Sequence, residues 1–121
     1  MTQATFSKIK INGEEYILKF TFNAISDLEE HYQKGIFSVV QGATIGFNTV
    51  RNFYWAGMLW KNPNLQPHHV GAMLEQEMEE NEDFDIQEHM EEAVKALTNS
   101  KAFKLMMKRA EAKQAREDSK N

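Results

Sequence analysis

The sequence predicts a mostly helical α+β domain, in which an N-terminal antiparallel β-hairpin is followed by a bundle of four to five α-helices. Three observations carry that expectation. Apolar and polar residues alternate on both sides of Asn12-Gly13, a dipeptide that suits a type I′ turn because both positions tolerate positive φ. From Phe47 onward apolar residues recur at three- and four-residue spacing, the period of a helix. At 121 residues the chain is one domain long, enough to bury roughly two-thirds of the surface its unfolded form exposes.

The first strand, Phe6-Ser7-Lys8-Ile9-Lys10-Ile11, puts Phe6, Ile9 or Ile11 on a covered face, and Tyr16-Ile17-Leu18-Lys19-Phe20 alternates with one slip. A two-stranded hairpin is marginal in water, so it must lie on the helices or find another strand. Thr21 or Asn23 can cap a helix running to Tyr32, with Ala24, Ile25, Leu28 and Tyr32 on one face and Asp27, Glu29 and Glu30 outward. Lys34-Gly35 is expected to close it, glycine being the usual left-handed cap. Ile36 to Val40 reads as one or two helical turns, and Gly42 and Gly46 loosen the chain before the next helix.

The stretch from Phe47 to Glu75 organises the rest. Phe47, Val50, Tyr54, Gly57 and Met58 form one stripe, and Phe53, Ala56, Leu59 and Trp60 form a second beside it. A helix apolar over so much of its circumference is central and covered on two or more sides. Asn62-Pro63-Asn64 stops it, because proline has no N–H to give and pushes the preceding residue out of helical geometry. Gln66-Pro67 starts the next helix, whose face is Val70, Met73, Leu74 and Met78. Glu79 to Asp85 reads as loop or frayed helix end. Ile86, Met90, Ala93, Val94 and Leu97 form a further face, Thr98-Asn99-Ser100 a break or cap, and Phe103, Leu105, Met106 and Met107 the last apolar group. Residues 1–105 are thus expected to form the domain, and residues 106–121 a basic tail that is either helical or disordered.

Composition narrows the function. The absence of cysteine excludes disulfides and cysteine-ligated zinc. The first residues lack a charged region followed by an apolar run, and no apolar stretch approaches the ~20 residues that cross a bilayer, so a soluble intracellular protein is expected. The net charge of -4 hides a division. Every charged residue from Glu75 to Glu92 is acidic, whereas Lys95, Lys101, Lys104, Lys108, Arg109, Lys113, Arg116 and Lys120 dominate the remainder of the chain. The two blocks could pair within one molecule or head-to-tail between copies, or they are two solvated helix faces of opposite sign.

No catalytic, cofactor-binding or metal-ligating residue emerges. His68 and His69 are neighbours on a helix, pointing about 100° apart, and no HExxH spacing is present. His31 near a helix end suits the dipole. Glu79 to Asp85 lacks the glycine that a calcium-binding EF-hand loop requires. There is no phosphate-cradling glycine loop and no serine on a nucleophile elbow. Tyr54, Trp55 and Trp60 sit in an apolar helix without interleaved lysine or arginine, which points to core packing or a protein interface, not base stacking. The candidate partner-binding residues are therefore Tyr54, Trp55 and Trp60, the acidic Glu88, Glu91 and Glu92, and Phe103, Met106 and Met107, the methionines being adaptable apolar surface.

Two segments together carry a resemblance. I-x-I-N-G-x-x-Y-x-L-K-F-x-F-x-A-I-x-x-L-E, from Ile9 to Glu29, and W-A-G-M-L-W-K-N-P-N-L-Q-P-H-H-V-G-A-M-L-E, from Trp55 to Glu75, resemble the tail assembly chaperones of long-tailed, siphovirus-like bacteriophages and prophages. The similarity spans roughly residues 9 to 105. The chain departs from the pattern where Gln66-Pro67-His68-His69 replaces a helix start of threonine, any residue and two glutamates. The resemblance implies a protein without enzymatic activity or cofactor that coats the tape measure protein in the host cell cytoplasm before the tail tube polymerises. It also implies recruitment of tail tube protein subunits and absence from the finished virion tail. Many such chaperones are made in two lengths by ribosomal frameshifting, and this chain would be the shorter. Covering a long helix calls for many copies of a homo-oligomer in open, helical head-to-tail contact, without nucleic acid or membrane. The alternative is a small regulatory or DNA-binding protein of helix-turn-helix type, although residues 67 to 79 hold no lysine or arginine to meet phosphate.

Overall fold

The computed structural model describes residues 6–43 and 46–119, so the first five residues of the expected domain and the last two of the expected tail lie outside the described residues. Strands β1 (Ser7–Ile11) and β2 (Glu14–Leu18) are followed by α1 (Phe22–Tyr32), α2 (Ile36–Gln41), α3 (Phe47–Met58), α4 (Pro67–Glu80), α5 (Ile86–Thr98) and α6 (Lys101–Ser119). The mostly helical α+β class holds. Six helices are described where four to five were expected, because the short apolar piece after Gly35 is a helix of its own.

The hairpin forms for the local reason foreseen. Asn12 and Gly13 adopt φ of 53° and 82°, the two positive values of a type I′ turn. The register runs from Ile11 opposite Glu14 to Ser7 opposite Leu18, and Ile9, Ile11 and Leu18 are buried against the helices. With a two-residue turn the hydrogen-bonded pairs are Ile11–Glu14, Ile9–Tyr16 and Ser7–Leu18. Lys8 and Lys10 on β1, and Glu15 and Ile17 on β2, therefore direct their backbone groups away from the other strand. On the β2 side the far end of that edge is tied to α3 and the turn after it: the Ile17 carbonyl accepts from Trp60 Nε1 at 3.0 Å, and the Lys19 N–H donates to the Gly57 carbonyl at 2.8 Å. Gly57 is required here, since a Cβ would lie 3.0 Å from Leu18 Cβ and 3.1 Å from the Phe20 ring.

The central helix is α3, which packs against α1, α4, α5 and β2. Val50, Phe53, Tyr54 and Ala56 are fully buried, each large side chain contributing about 1.5–3 kcal/mol by leaving water. Both apolar stripes lose their ends to solvent, Phe47 at one and Trp60 at the other. The helix also stops at Met58, before the proline break. Leu59 N–H reaches the Ala56 carbonyl and Lys61 N–H the Met58 carbonyl, tighter i→i+3 turns that lead the chain into Pro63.

Side chains begin most of the helices. Thr21 Oγ1 accepts from Ala24 N–H at 3.1 Å to start α1. The left-handed residue closing α1 is Gln33, with φ of 55°, and not Gly35. Gly35 is extended instead, because it must launch α2, whose first N–H, from Ile36, donates to Glu29 Oε2 at 2.7 Å. Glu29 thus turns partly inward and serves the positive end of α2. At the start of α4, His69 Nδ1 accepts from Gln66 N–H at 3.0 Å, the part a glutamate plays in a capping box. Asp85 Oδ1 caps α5 through Gln87 and Glu88, and the Ser100 hydroxyl caps α6 through Phe103. The first turns of α6 pack on the body through Ala102, Phe103, Met106 and Met107, while residues 108–118 are exposed. A helix of 19 residues spans about 28 Å, so α6 projects.

Candidate functional site

A chain of buried polar groups joins four elements in the interior. The Tyr54 hydroxyl on α3 lies 2.8 Å from His89 Nδ1 on α5, and His89 Nε2 meets Glu77 Oε1 on α4. Glu77 Oε2 accepts the backbone N–H of Asn12 in the hairpin turn, and the Asn12 side chain donates to Glu80 at 2.9 Å. Tyr54, Glu77 and His89 are all buried. Burial pushes the Tyr54 phenol far above its ordinary range, and the Glu92 carboxylate 3.4 Å away adds to the effect. The phenol therefore stays protonated and donates to its nearest acceptor, His89 Nδ1, while His89 Nε2–H donates to Glu77. Hydrogen bonds from Asn12 and Gln76 hold the Glu80 carboxyl below its usual range. A hydroxyl, an imidazole and a carboxylate in line resemble a nucleophile relay. Here the hydroxyl is fully buried in a helix interior, and the chain ties the hairpin to α4, α5 and α3.

The surface is richer in binding features. A groove of about 570 Å³ runs between β2, the end of α3 and α4, lined by Tyr16, Ile17, Met58, Leu65 and Met73, with Lys61 at its rim. A smaller one of about 210 Å³ lies on the other side of α4, where Phe47, Leu74, Met78, Phe84 and Ile86 meet. Phe47 and Met78 are exposed there, at 68% and 43%. A cleft of about 480 Å³ opens between β1 and α5, with Lys8 and Lys10 on one side and Asp85, Glu88 and Glu92 on the other. Among the described residues no helix is long and apolar enough to cross a membrane, and no three histidine or acidic side chains converge as a metal site.

The residues singled out by sequence fall into three groups. Tyr54 and Phe103 are buried within the core. Trp55 is half-buried, its Nε1 donating to the Leu65 carbonyl at 2.7 Å and its ring 5.7 Å from that of His31. Trp60 remains 40% exposed, with Lys19 Nζ 5.8 Å above its ring, and Met106 and Met107 are half-buried at the root of α6. Glu88 and Glu92 line the cleft beside β1, whereas Glu91 is exposed. His89 and Glu77 were not singled out. Their partners lie on other elements, so no local spacing marks them. The helix α4 carries no lysine or arginine, and the helix-turn-helix alternative therefore lacks a cationic recognition helix.

A family model described as phage tail assembly chaperone protein, TAC, matches residues 8–111. No curated protein sequence and no solved structure matched the chain.

Proposed function

Because the chain belongs to the phage tail assembly chaperone family, we propose that it keeps the tape measure protein soluble in the host cytoplasm until the tail tube assembles around it. It helps bring tail tube subunits to that client and leaves before the tail is complete. The observation that supports this reading most is the apolar groove beside α4, where Tyr16, Ile17, Met58, Leu65 and Met73 offer a trough fit for the apolar stripe of an amphipathic helix. Two methionines among those residues allow the lining to adapt to a changing series of side chains along a long client. Co-expression with the tape measure protein tests it. The client is expected in the soluble fraction with the native chain and in the pellet with Met73→Glu, whose fold is verified by its own melting curve. A client that is equally insoluble with both overturns the reading.

The client's length calls for several copies, and the charge division supplies a means of joining them. The exposed basic face of α6, with Lys104, Lys108, Arg109 and Lys113, suits the acidic α5 of the next copy, a head-to-tail contact that does not close on itself. Reversing Glu88 and Glu91 to lysine, with Glu92 left in its contact to Tyr54, should weaken self-association at low salt by about tenfold or more. Sedimentation velocity at two salt concentrations reads this. An unchanged sedimentation coefficient at low salt would remove α5 from the contact.

A further inference from the structure

The two edges of the hairpin are treated differently. The far end of the β2 edge is stitched to α3 and the turn after it through Gly57 and Trp60. On β1 the N–H and C=O groups of Lys8 and Lys10 point outward by the register, and none has a hydrogen-bond partner among the described residues. An open edge of this kind is a template for another strand, and proteins usually cover it unless it is used. Beside it lies the cleft of about 480 Å³, deep enough for a short extended segment, and its far side is helix α5.

We propose that β1 takes a third strand into this cleft: an extended segment of a client protein with lysine or arginine at the alternate positions that face α5. The main chain of the incoming segment pairs with Lys8 and Lys10, and its helix-facing side chains meet Glu88 and Glu92, with Asp83 and Asp85 near the mouth. The lining carries six carboxylates, Glu15, Glu77, Asp83, Asp85, Glu88 and Glu92, against Lys8 and Lys10, and Glu15 lies 3.9 Å from Lys8. A basic strand is therefore attracted and an acidic one repelled.

A second copy of this chain does not suit the place. Its basic residues from Lys95 to Arg116 sit in α5 and α6, where the backbone groups are spent within the helix. Its own β1 would bring a second α5 with the same carboxylates toward the first, like charge against like charge. Residues 1–5, read from the sequence, contain no lysine or arginine. A strand free of its own sheet, as in a client not yet folded, meets none of these obstacles. The inference rests on the chaperone reading only in calling the owner of that strand a client.

Amide hydrogen exchange at Lys8 and Lys10, with synthetic peptides as probes, tests it. A peptide alternating lysine and threonine should slow exchange at both amides by about tenfold or more at saturation. A peptide alternating glutamate and threonine should bind at least about tenfold more weakly, and Asp83→Lys should weaken the lysine peptide in the same sense. Methylating alternate backbone amides of the lysine peptide should abolish the protection, which charge attraction alone would preserve. Equal binding of both peptides, or no protection at Lys8 and Lys10, overturns the proposal. So does protection that appears in the protein alone as its concentration rises, since a second copy would then fill the edge. A protein that solubilises its client yet leaves these amides unprotected defeats the strand site alone. Strand binding without client solubilisation defeats the chaperone reading instead.

Discussion

Replacing His89 by leucine should remove about 3 kcal/mol of folding stability, the upper end of the cost of leaving a buried group unsatisfied, because the group left short of a donor is a carboxylate. The substitution takes the imidazole from between two groups that have little else to turn to. Glu77, 7% exposed, would keep only the Asn12 N–H. The Tyr54 hydroxyl would fall back on the backbone carbonyl of residue 89 at 3.3 Å and on Glu92 at 3.4 Å. Urea denaturation should show a lower midpoint with an unchanged slope, because the surface exposed on unfolding hardly changes. The double variant Glu77→Leu with His89→Leu should recover part of the loss, since it removes the buried carboxylate that the single variant leaves short, while the Asn12 N–H gives up its acceptor. A loss below about 1 kcal/mol in the single variant would mean that these three side chains hold nothing together that water cannot replace.

The second large effect lies at alkaline pH and comes from Tyr54. Burial and then the nearby Glu92 raise its phenol far above the ordinary value of about 10. In the unfolded chain the phenol ionises near that ordinary value, whereas in the folded chain it keeps its proton. The stability it contributes is therefore fully present below about pH 10 and declines above it by about 1.4 kcal/mol per unit, since the unfolded state alone gives up the proton. Tyr54→Phe should start about 1 kcal/mol less stable at neutral pH, having orphaned His89 Nδ1. Its curve should then be the flatter one. Denaturation between about pH 8 and about pH 12 should show the native chain falling towards the variant, and parallel curves would place the alkaline loss in other groups.

What could be read in advance was what depends on near neighbours. Asn12-Gly13 sets its turn with two residues, and the three- and four-residue spacing of Val50, Phe53, Tyr54 and Ala56 sets the central helix by itself. Gln33 could not be read in that way. Glycine at position 35 offered a ready left-handed cap, but the next helix needed that residue extended so that Ile36 could reach Glu29. The polar interior was hidden for a similar reason. Glu77 belongs to an acidic run that reads as a solvated face, since charge normally faces water, and no local spacing marks His89 at all. Their burial depends on α4 and α5 doubling back across the loop at residues 81–85, and on a tyrosine 35 residues before His89. The cleft beside β1 was equally invisible, because an edge is open or closed only relative to what else packs nearby. Trp60 ties the far end of β2 across 43 residues of sequence.

The turn at Asn12 is held by Glu77 and Glu80, 65 and 68 residues later. As the chain leaves the ribosome the two strands emerge well before α4, yet a lone hairpin is marginal and closing so long a loop is slow to become favourable. The hairpin must therefore wait, flickering between paired and unpaired, until the fourth helix has been synthesised and can reach back to fasten it.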